Sequence, residues 1–277
     1  MKKKKLKVKW KNLVLFLIVI ICITTLIIST KDIIKWMIDS NETEKQIEEI
    51  TEIVEVEEVE ENENTEIIEQ KEEPPKENPY WDYIKMNMIN VNFNELKQKN
   101  PDTKGWIQVN GTNINYPFVQ TNDNKFYLNH TFNKAYNSAG WVFLDYRNNI
   151  NELSKNTIIY AHGRLDTTMF GSLKNILSSG WLNNTNNYVV KLSTETENTL
   201  WQVFSVYHIP TTSDYIKVHF SSNEGFTKWA TMLLDRSAHN FNTSINENDQ
   251  VLTLSTCYND KEKVVLHAKL IKKETRY

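Results

Sequence analysis

Cysteine is almost absent from this chain, since Cys22 and Cys257 are the only two among its 277 residues. This scarcity excludes a scaffold held together by several disulfides, because exported domains normally use structural cysteines in pairs. Cys22 lies inside a long apolar run, where it is most simply a lipid-facing residue. Cys257 then has no partner in the globular part of the chain. It is either a buried, inert thiol or a reactive nucleophile.

Several patterns that would indicate other functions are also missing. The net charge is only −3, and no stripe of basic and aromatic residues indicates a nucleic-acid partner. The six histidines form no H-x-x-x-H pair and no cluster with cysteine, so no metal site is predicted. No motif implies a cofactor, and no internal repeat is visible.

The longest hydrophobic run occupies residues 12–30 and contains no charged residue. As a helix it would span about 28 Å, close to the thickness of the hydrocarbon core of a bilayer. Residues 1–11 are rich in lysine, which favours a cytoplasmic N-terminus and an extracellular remainder. A cleaved signal peptide is the alternative, but its small-residue cleavage site is missing after Thr30. We therefore predict a retained, single-pass anchor in the cell membrane.

Residues 31–79 are predicted to form a linker between the membrane and the globular part. From about residue 41 glutamate dominates, glycine is absent, and Pro74 and Pro75 would end any helix. Such a segment repels itself and is extended, or at best a marginal helix. We interpret it as a solvated acidic stalk, with an acidic partner-binding segment as the alternative.

Residues 80–277 are long enough for one domain with a substantial core. A helical pattern at the front ends at Pro101, and a series of short β-like runs follows, separated by Asn-rich turns. A later helix is indicated by a capping-box spacing from Ser221 to Glu224 and by an apolar face. Many strands, few glycines and no alternation of strands with helices predict a mainly β fold, a barrel with peripheral helices.

Cys257 ends the β-like run "VLTLSTC". A thiol attacks as the thiolate, so a catalytic cysteine needs a histidine or a cationic neighbour. His162 directly follows the run "NTIIYA", and Gly163 allows a sharp exit from that strand. His267 lies in "VVLHAKL", where alternation could make it a surface residue of a strand. The pattern favours His162 as the base, with His267 as the alternative, and the other histidines are interpreted as structural.

Three short blocks, "TLSTC", "IIYAHG" and "MFGSL", resemble the sortases, which are membrane-bound cysteine transpeptidases of Gram-positive bacteria. Longer blocks such as "AGWVFLDYRNN" and "VVLHAKLIKK" resemble class B in particular, and the similarity covers residues 80–273. The resemblance implies a closed β-barrel of about eight strands with N-terminal helices and one long peripheral helix, preceded by the transmembrane helix. Residues 80–277 would be the catalytic domain.

The resemblance also implies roles for single residues. Cys257 would be the nucleophile and His162 the general acid and base. The enzyme would cleave a C-terminal Pro-x-Thr sorting signal of an exported protein after the threonine, through a thioacyl intermediate. It would then pass that protein to an amine of peptidoglycan or of its lipid-linked precursor.

The third catalytic residue of the family is an arginine on the strand after the nucleophile, and Lys263 occupies that position here. Lysine keeps the positive charge but lacks the planar, two-pronged donor set of arginine. Three interpretations follow. Lys263 performs the role of the family's arginine less well, an arginine from elsewhere in the chain occupies this place, or the activity is weak.

Other positions match the substrate-lining positions of class B enzymes, with ordinary packing as their alternative role. They are Asn124, Leu128, Tyr160, Thr211, Tyr215, Ile216 and Ser255. Two further functions remain open on the sequence. The same residues could serve a membrane-tethered thiol protease that releases its product to water. The missing arginine would also suit a non-catalytic surface scaffold.

Overall fold

The computed structural model of the protein describes residues 9–60, 62–68, 80–257 and 261–276. The α-helices of the described residues are α1 (Trp10–Ile53), α2 (Tyr80–Tyr83), α3 (Asn94–Lys99), α4 (Ser179–Leu182) and α5 (Asn223–Asp235). Its strands are β1 (Val56–Val59), β2 (Thr65–Ile67), β3 (Met88–Val91), β4 (Thr103–Val109), β5 (Asn115–Val119), β6 (Phe143–Leu144), β7 (Asn156–Tyr160), β8 (Val189–Thr194), β9 (Glu197–Pro210), β10 (Val251–Cys257) and β11 (Glu262–Thr275). Residues 1–8 of the predicted cytoplasmic tail and residues 69–79 of the predicted stalk, which include its three prolines, lie outside the described residues.

The chain consists of two compact units, Met1–Glu42 and Thr43–Tyr277. The first unit contains most of α1, whose apolar side chains between residues 13 and 28 are exposed. The most apolar window of α1 has a mean hydropathy of 2.9 and is 0% buried. By length and composition α1 could therefore cross a membrane, and it includes the predicted span 12–30.

Part of the acidic segment is folded in the second unit. Strand β1 pairs antiparallel with β3, and β2 pairs antiparallel with β11. Two of the glutamates face lysines, Glu58 at 3.3 Å from Lys191 and Glu66 at 3.0 Å from Lys273. Backbone pairing and these opposite charges offset the self-repulsion of the carboxylates. Residues 43–60 and 62–68 thus hold the end of α1 and two paired strands, where the sequence predicts an extended segment or at best a marginal helix.

Eight strands close into a barrel in the second unit. The order is β10-β7-β6-β5-β4-β8-β9-β11, and pairing of β10 with β11 closes the ring. Strand β2 is added outside the ring, on β11. The hydrophobic core of this unit includes the fully buried Trp106, Trp141 and Trp201. The predicted closed, mainly β barrel is confirmed.

Helix α5 covers one outer face of the barrel. Its buried side chains Phe226, Trp229 and Leu233 join a separate apolar cluster with Phe204 and Tyr207 of β9. Each fully buried side chain of this size contributes about 1.5–3 kcal/mol relative to an exposed one. The apolar face follows the predicted helical spacing, but the N-cap does not.

The helix is capped one residue later than the spacing predicts. The Oγ of Ser222, not of Ser221, accepts the backbone N–H of Gly225 at 3.0 Å. Ser222 has the extended backbone that an N-cap residue needs, so its hydroxyl reaches the open first turn.

Candidate active site

Two strand ends bring the predicted catalytic positions together. Strands β7 and β10 are parallel neighbours, and their last register pair is Tyr160 with Ser255. His162 and Cys257 each lie two residues beyond that pair. The alignment continues past β7, because the Oγ1 of Thr256 donates to the carbonyl of Ala161 at 2.9 Å. Adjacent strands lie about 4.8 Å apart, so the backbones of the two positions are neighbours.

The imidazole of His162 is oriented by one backbone group. Its Nε2 lies 2.7 Å from the carbonyl oxygen of Leu128. A carbonyl can only accept, so Nε2 carries the hydrogen and Nδ1 has the free lone pair in the neutral ring. The carbonyl of His162 itself accepts the N–H of Phe170 at 3.0 Å. The side chain is half-buried, which leaves the ring accessible from the cleft.

Lys263 lies opposite the nucleophile position in the β10–β11 hairpin. It is the register partner of Cys257 across that hairpin and of Ile209 on β9. Among the described residues that line the cleft, it is the one lysine or arginine.

The arginines of the chain have other partners. Arg147 is bound to Asp145, Arg164 to Asp166 and Arg236 to Asp214, each through an ion pair. Arg276 donates to the carbonyl of Val91 at 2.9 Å. The interpretation in which an arginine from elsewhere takes the place of Lys263 therefore finds no support in these contacts.

A cleft of about 560 Å³ opens where these strands end. All seven substrate-lining positions predicted from the sequence line it, together with His162 and Lys263. The remaining described lining residues were not predicted from the sequence, and they are Phe143, Ala161, Thr212, Ser213 and Thr256. Phe143 is the register partner of Tyr160 on β6, and this pairing becomes visible only in the folded chain.

One wall of the cleft is organised by Asp145, which is 0% exposed. Its Oδ2 accepts hydrogen bonds from Asn124 at 3.0 Å and from the Tyr160 hydroxyl at 2.9 Å. Arg147 donates to both carboxylate oxygens, at 2.8 and 2.7 Å. Burial raises the pKa of the Asp145 carboxyl, but the hydrogen bonds from Arg147 and Tyr160 outweigh it and bring the pKa below its ordinary value. Asp145 is therefore a buried carboxylate.

The other wall is the segment 211–216 after β9. The N–H and hydroxyl of Thr211 both donate to the carbonyl of Lys261, at 2.8 and 3.0 Å. Tyr215 is buried, and its hydroxyl lies 2.9 Å from the Oγ of Ser255. This bond joins the segment to the strand that carries Cys257.

The expected surface position of His267 is wrong, and its burial gives no support to the alternative that it is the base. The side chain is 0% exposed and lies between the Tyr207 hydroxyl at 2.8 Å and the Thr253 hydroxyl at 2.9 Å. Burial, with a smaller contribution from the charge of Arg236, lowers the pKa of His267 to about 3. It is a neutral, hydrogen-bonded histidine of the core.

Within the described ranges, no three His, Cys, Asp or Glu side chains are grouped closely enough to hold a metal ion. The polar groups of the cleft are instead hydroxyls, amides, one imidazole and one ammonium. Such a set suits hydrogen bonding to a peptide backbone and acid–base chemistry at the strand ends.

Comparison with known proteins finds a consistent set of relatives. Residues 107–271 match the sequence model of the Sortase domain family. Sortase B of Listeria monocytogenes is 33% identical over 185 residues, which are 65% of this chain and 74% of the relative. The Staphylococcus aureus sortase B–substrate complex has 32% identity and a TM-score of 0.61, covering 65% of this chain and 84% of that chain. A sortase B structure complexed with triglycine has 31% identity and a TM-score of 0.61, covering 65% and 85%.

Proposed function

Because this chain belongs to the sortase family, and within it to class B, we propose that it is a cysteine transpeptidase in which Cys257 is the nucleophile and His162 the general acid and base. One observation carries this assignment. The two residues occupy equivalent positions, two beyond the pair Tyr160 and Ser255, at the ends of adjacent parallel strands. A thiol and an imidazole at such positions can exchange a proton.

In the first step, the thiol of Cys257 gives its proton to His162 and the sulfur attacks the carbonyl carbon of the threonine in a Pro-x-Thr signal. A C–S bond forms, the peptide C–N bond breaks, and the departing amine takes the proton from His162. The Nε2 of His162 is held on the carbonyl of Leu128, so we assign the transferred proton to Nδ1. The products are a thioester on Cys257 and the free C-terminal fragment.

In the second step, an amine of peptidoglycan or of its lipid-linked precursor attacks the thioester carbon and gives its proton to His162. A new amide bond forms, the C–S bond breaks, and the thiolate regains a proton from His162. Water competes with the amine for the same thioester. A cleft with a wall on each side favours the amine by limiting the access of water to the thioester.

The peptide is proposed to lie between the two walls of the cleft. The proposed contacts are Asn124, Leu128, Tyr160, Thr211, Tyr215, Ile216 and Ser255, all of which line it. The relatives support a bound donor substrate and an amine acceptor, since sortase B structures have been solved with a substrate and with triglycine. The donor of this chain would be an exported protein that ends in a sorting signal.

We propose that α1 is a single-pass anchor, with residues 1–11 in the cytoplasm and residues 12–30 in the bilayer. The lysine-rich start supports this orientation. The catalytic domain, residues 80–277, would then lie outside the cell, where sorting signals and cell-wall amines are found.

Lys263 is proposed to stabilise the oxyanion that develops on the threonine carbonyl, and this role predicts the effect of replacing it. Lys263→Ala should lower kcat/KM for the donor peptide by about 10²-fold, because one charged donor is lost. Lys263→Arg should preserve or raise it, because guanidinium offers two parallel donors. Steady-state cleavage of a fluorogenic peptide measures both. The matched control is Lys261→Ala, two residues away in the same hairpin, and full activity of Lys263→Ala would show the assignment to be wrong.

The proposed function is tested by the fate of the threonine carbonyl. Purified full-length protein in detergent is incubated with Asn-Pro-x-Thr-Asn and Asn-Pro-x-Thr-Gly peptides, with and without triglycine. We expect a product in which triglycine is joined to the threonine, and we expect it to replace the hydrolysis product as the triglycine concentration rises. Mass spectrometry of the products measures the partition.

Two results of this experiment would contradict the proposal. Cleavage that never incorporates triglycine, or any other amine tested, would indicate a thiol protease. Intact peptide in every reaction, together with no covalent adduct on the protein, would indicate a scaffold domain.

A further inference from the structure

The side chain of Arg147 connects the two walls of the cleft. Its guanidinium donates to both oxygens of Asp145, which in turn holds Asn124 and Tyr160 of the first wall. The same Nη2 also donates to the carbonyl of Ile216 in the second wall, at 3.0 Å. Arg147 does not line the cleft itself, but it contacts groups on both sides of it.

Near Arg147, the second wall is held mainly by hydrogen bonds that side chains of the barrel region donate to its backbone carbonyls. The Nδ2 of Asn156 donates to the carbonyl of Lys217 at 3.0 Å and, more weakly, to that of Tyr215 at 3.4 Å. The carbonyl between them, that of Ile216, is held by Arg147. Asn156 belongs to β7 of the barrel, so this segment is tied to the same strand that leads to His162.

We propose that Arg147 is a positioning residue: by coupling Asp145 to the carbonyl of Ile216, it sets the width of the cleft in which the donor peptide binds. This inference rests on the proposed function. It adds to that function the residue that keeps the two walls of the cleft at the distance needed for the peptide. A guanidinium suits this role because its planar fork can serve a carboxylate and a carbonyl at fixed angles at the same time. An ammonium carries its three N–H donors on one nitrogen and lacks the planar fork, so it cannot reproduce that geometry.

The contact between Arg147 and Asp145 also explains how the negative charge of Asp145 is accommodated in a buried position. The carboxylate of Asp145 is fully buried and is neutralised by Arg147, whose side chain is 32% exposed. Removal of Arg147 alone would leave a buried, unpaired charge. The informative variants are therefore Arg147→Lys, which keeps a charge beside Asp145, and the double variant Asp145→Asn/Arg147→Met, which removes both charges together.

The test separates donor binding from acceptor use. Both variants should lower kcat/KM for the fluorogenic Pro-x-Thr peptide about tenfold, mainly by raising KM. The values of kcat at saturating donor and of kcat/KM for triglycine should stay within about twofold of the wild type. In a Cys257→Ala background, the Kd of the same peptide should rise about tenfold, as measured by fluorescence anisotropy. Melting temperatures show whether the variants are folded.

The matched control is Lys273→Met. Lys273 has a similarly exposed side chain, at 30%, and pairs with Glu66 at 3.0 Å on the β2–β11 edge. Lys273→Met should leave kcat/KM for the donor peptide and kcat/KM for triglycine unchanged. A purely structural role of Arg147 would instead lower donor and acceptor constants together, in step with the melting temperature, and that result would overturn the inference.

The failure of this inference is distinguishable from the failure of the proposed function. Suppose that the wild type joins triglycine to the peptide, and that the donor KM and Kd of both variants stay within about twofold of the wild-type values. Then Arg147 does not position the walls of the cleft, and the proposed function stands. If the wild type never forms the product, the proposed function is overturned and the inference with it.

Discussion

Cys257→Ala should reduce cleavage of the Pro-x-Thr peptide to the background rate, a loss on the order of 10⁴-fold or more. The thioester cannot form without the sulfur, and the second cysteine of the chain is Cys22, in the apolar part of α1. Ser255 and Thr256, which directly precede Cys257, line the cleft. Strand β10 therefore leads the chain into the place where the peptide is proposed to bind. Steady-state cleavage of the fluorogenic peptide measures the loss.

The assignment of Cys257 as the nucleophile can be controlled with the second cysteine of the chain, Cys22. A Pro-x-Thr peptide that carries an electrophile in place of the scissile bond should add once to the wild type and once to Cys22→Ser. It should not add to Cys257→Ala, as seen in the intact mass of the protein. Turnover that survives in Cys257→Ala, or that disappears in Cys22→Ser, would contradict the assignment.

His162→Ala should lower kcat/KM for the amide donor by about 10²–10⁴-fold, the range expected for a general acid and base. Loss of the imidazole removes both the acceptor of the thiol proton and the donor to the leaving amine. An ester donor with a good leaving group does not need that second proton, so its rate should fall less. The comparison of amide with ester donors in the same variant measures the contribution of His162 as an acid.

His162→Gln separates proton transfer from positioning. A glutamine amide can still donate to the carbonyl of Leu128, which lies 2.7 Å from Nε2, but it cannot act as a base. It should be as inactive as His162→Ala. The matched control is His130→Ala, because Nδ1 of His130 also lies 2.7 Å from a backbone carbonyl, that of Phe126. This control should stay within about threefold of the wild type, and near-normal activity of His162→Gln would contradict the proton-transfer role.

Local patterns are sufficient to predict the strands but not their neighbours. The runs that end at Tyr160 and Cys257 are recognisable as strands from their apolar, β-branched residues. That they are parallel and in contact depends on the barrel closing, which is a non-local property. A register shifted by one residue would turn every side chain of β10 to the other face. The pairing of Tyr160 with Ser255 is therefore knowable only from the fold.

His267 shows how an alternation rule fails when both faces of a strand are covered. The alternation predicts a solvent-exposed side chain, but the outer face of β11 is not exposed at this residue. The rings of Phe204, Tyr207 and Tyr215 lie 5.9, 5.4 and 6.3 Å from its imidazole, centroid to centroid. These residues come from β9 and from the segment after it, which no pattern within β11 could reveal.

The sequence was enough to identify a long apolar helix, a β-rich domain, the class B resemblance and the candidates Cys257 and His162, because each is carried by short blocks of neighbouring residues that can be recognised one by one. The pairing of the acidic strands β1 with β3 and β2 with β11, the burial of His267 and the link from Asp145 through Arg147 to Ile216 depend on the folded chain. Each of these joins residues that are far apart in sequence, and their hydrogen bonds and charges are satisfied only once the barrel has closed.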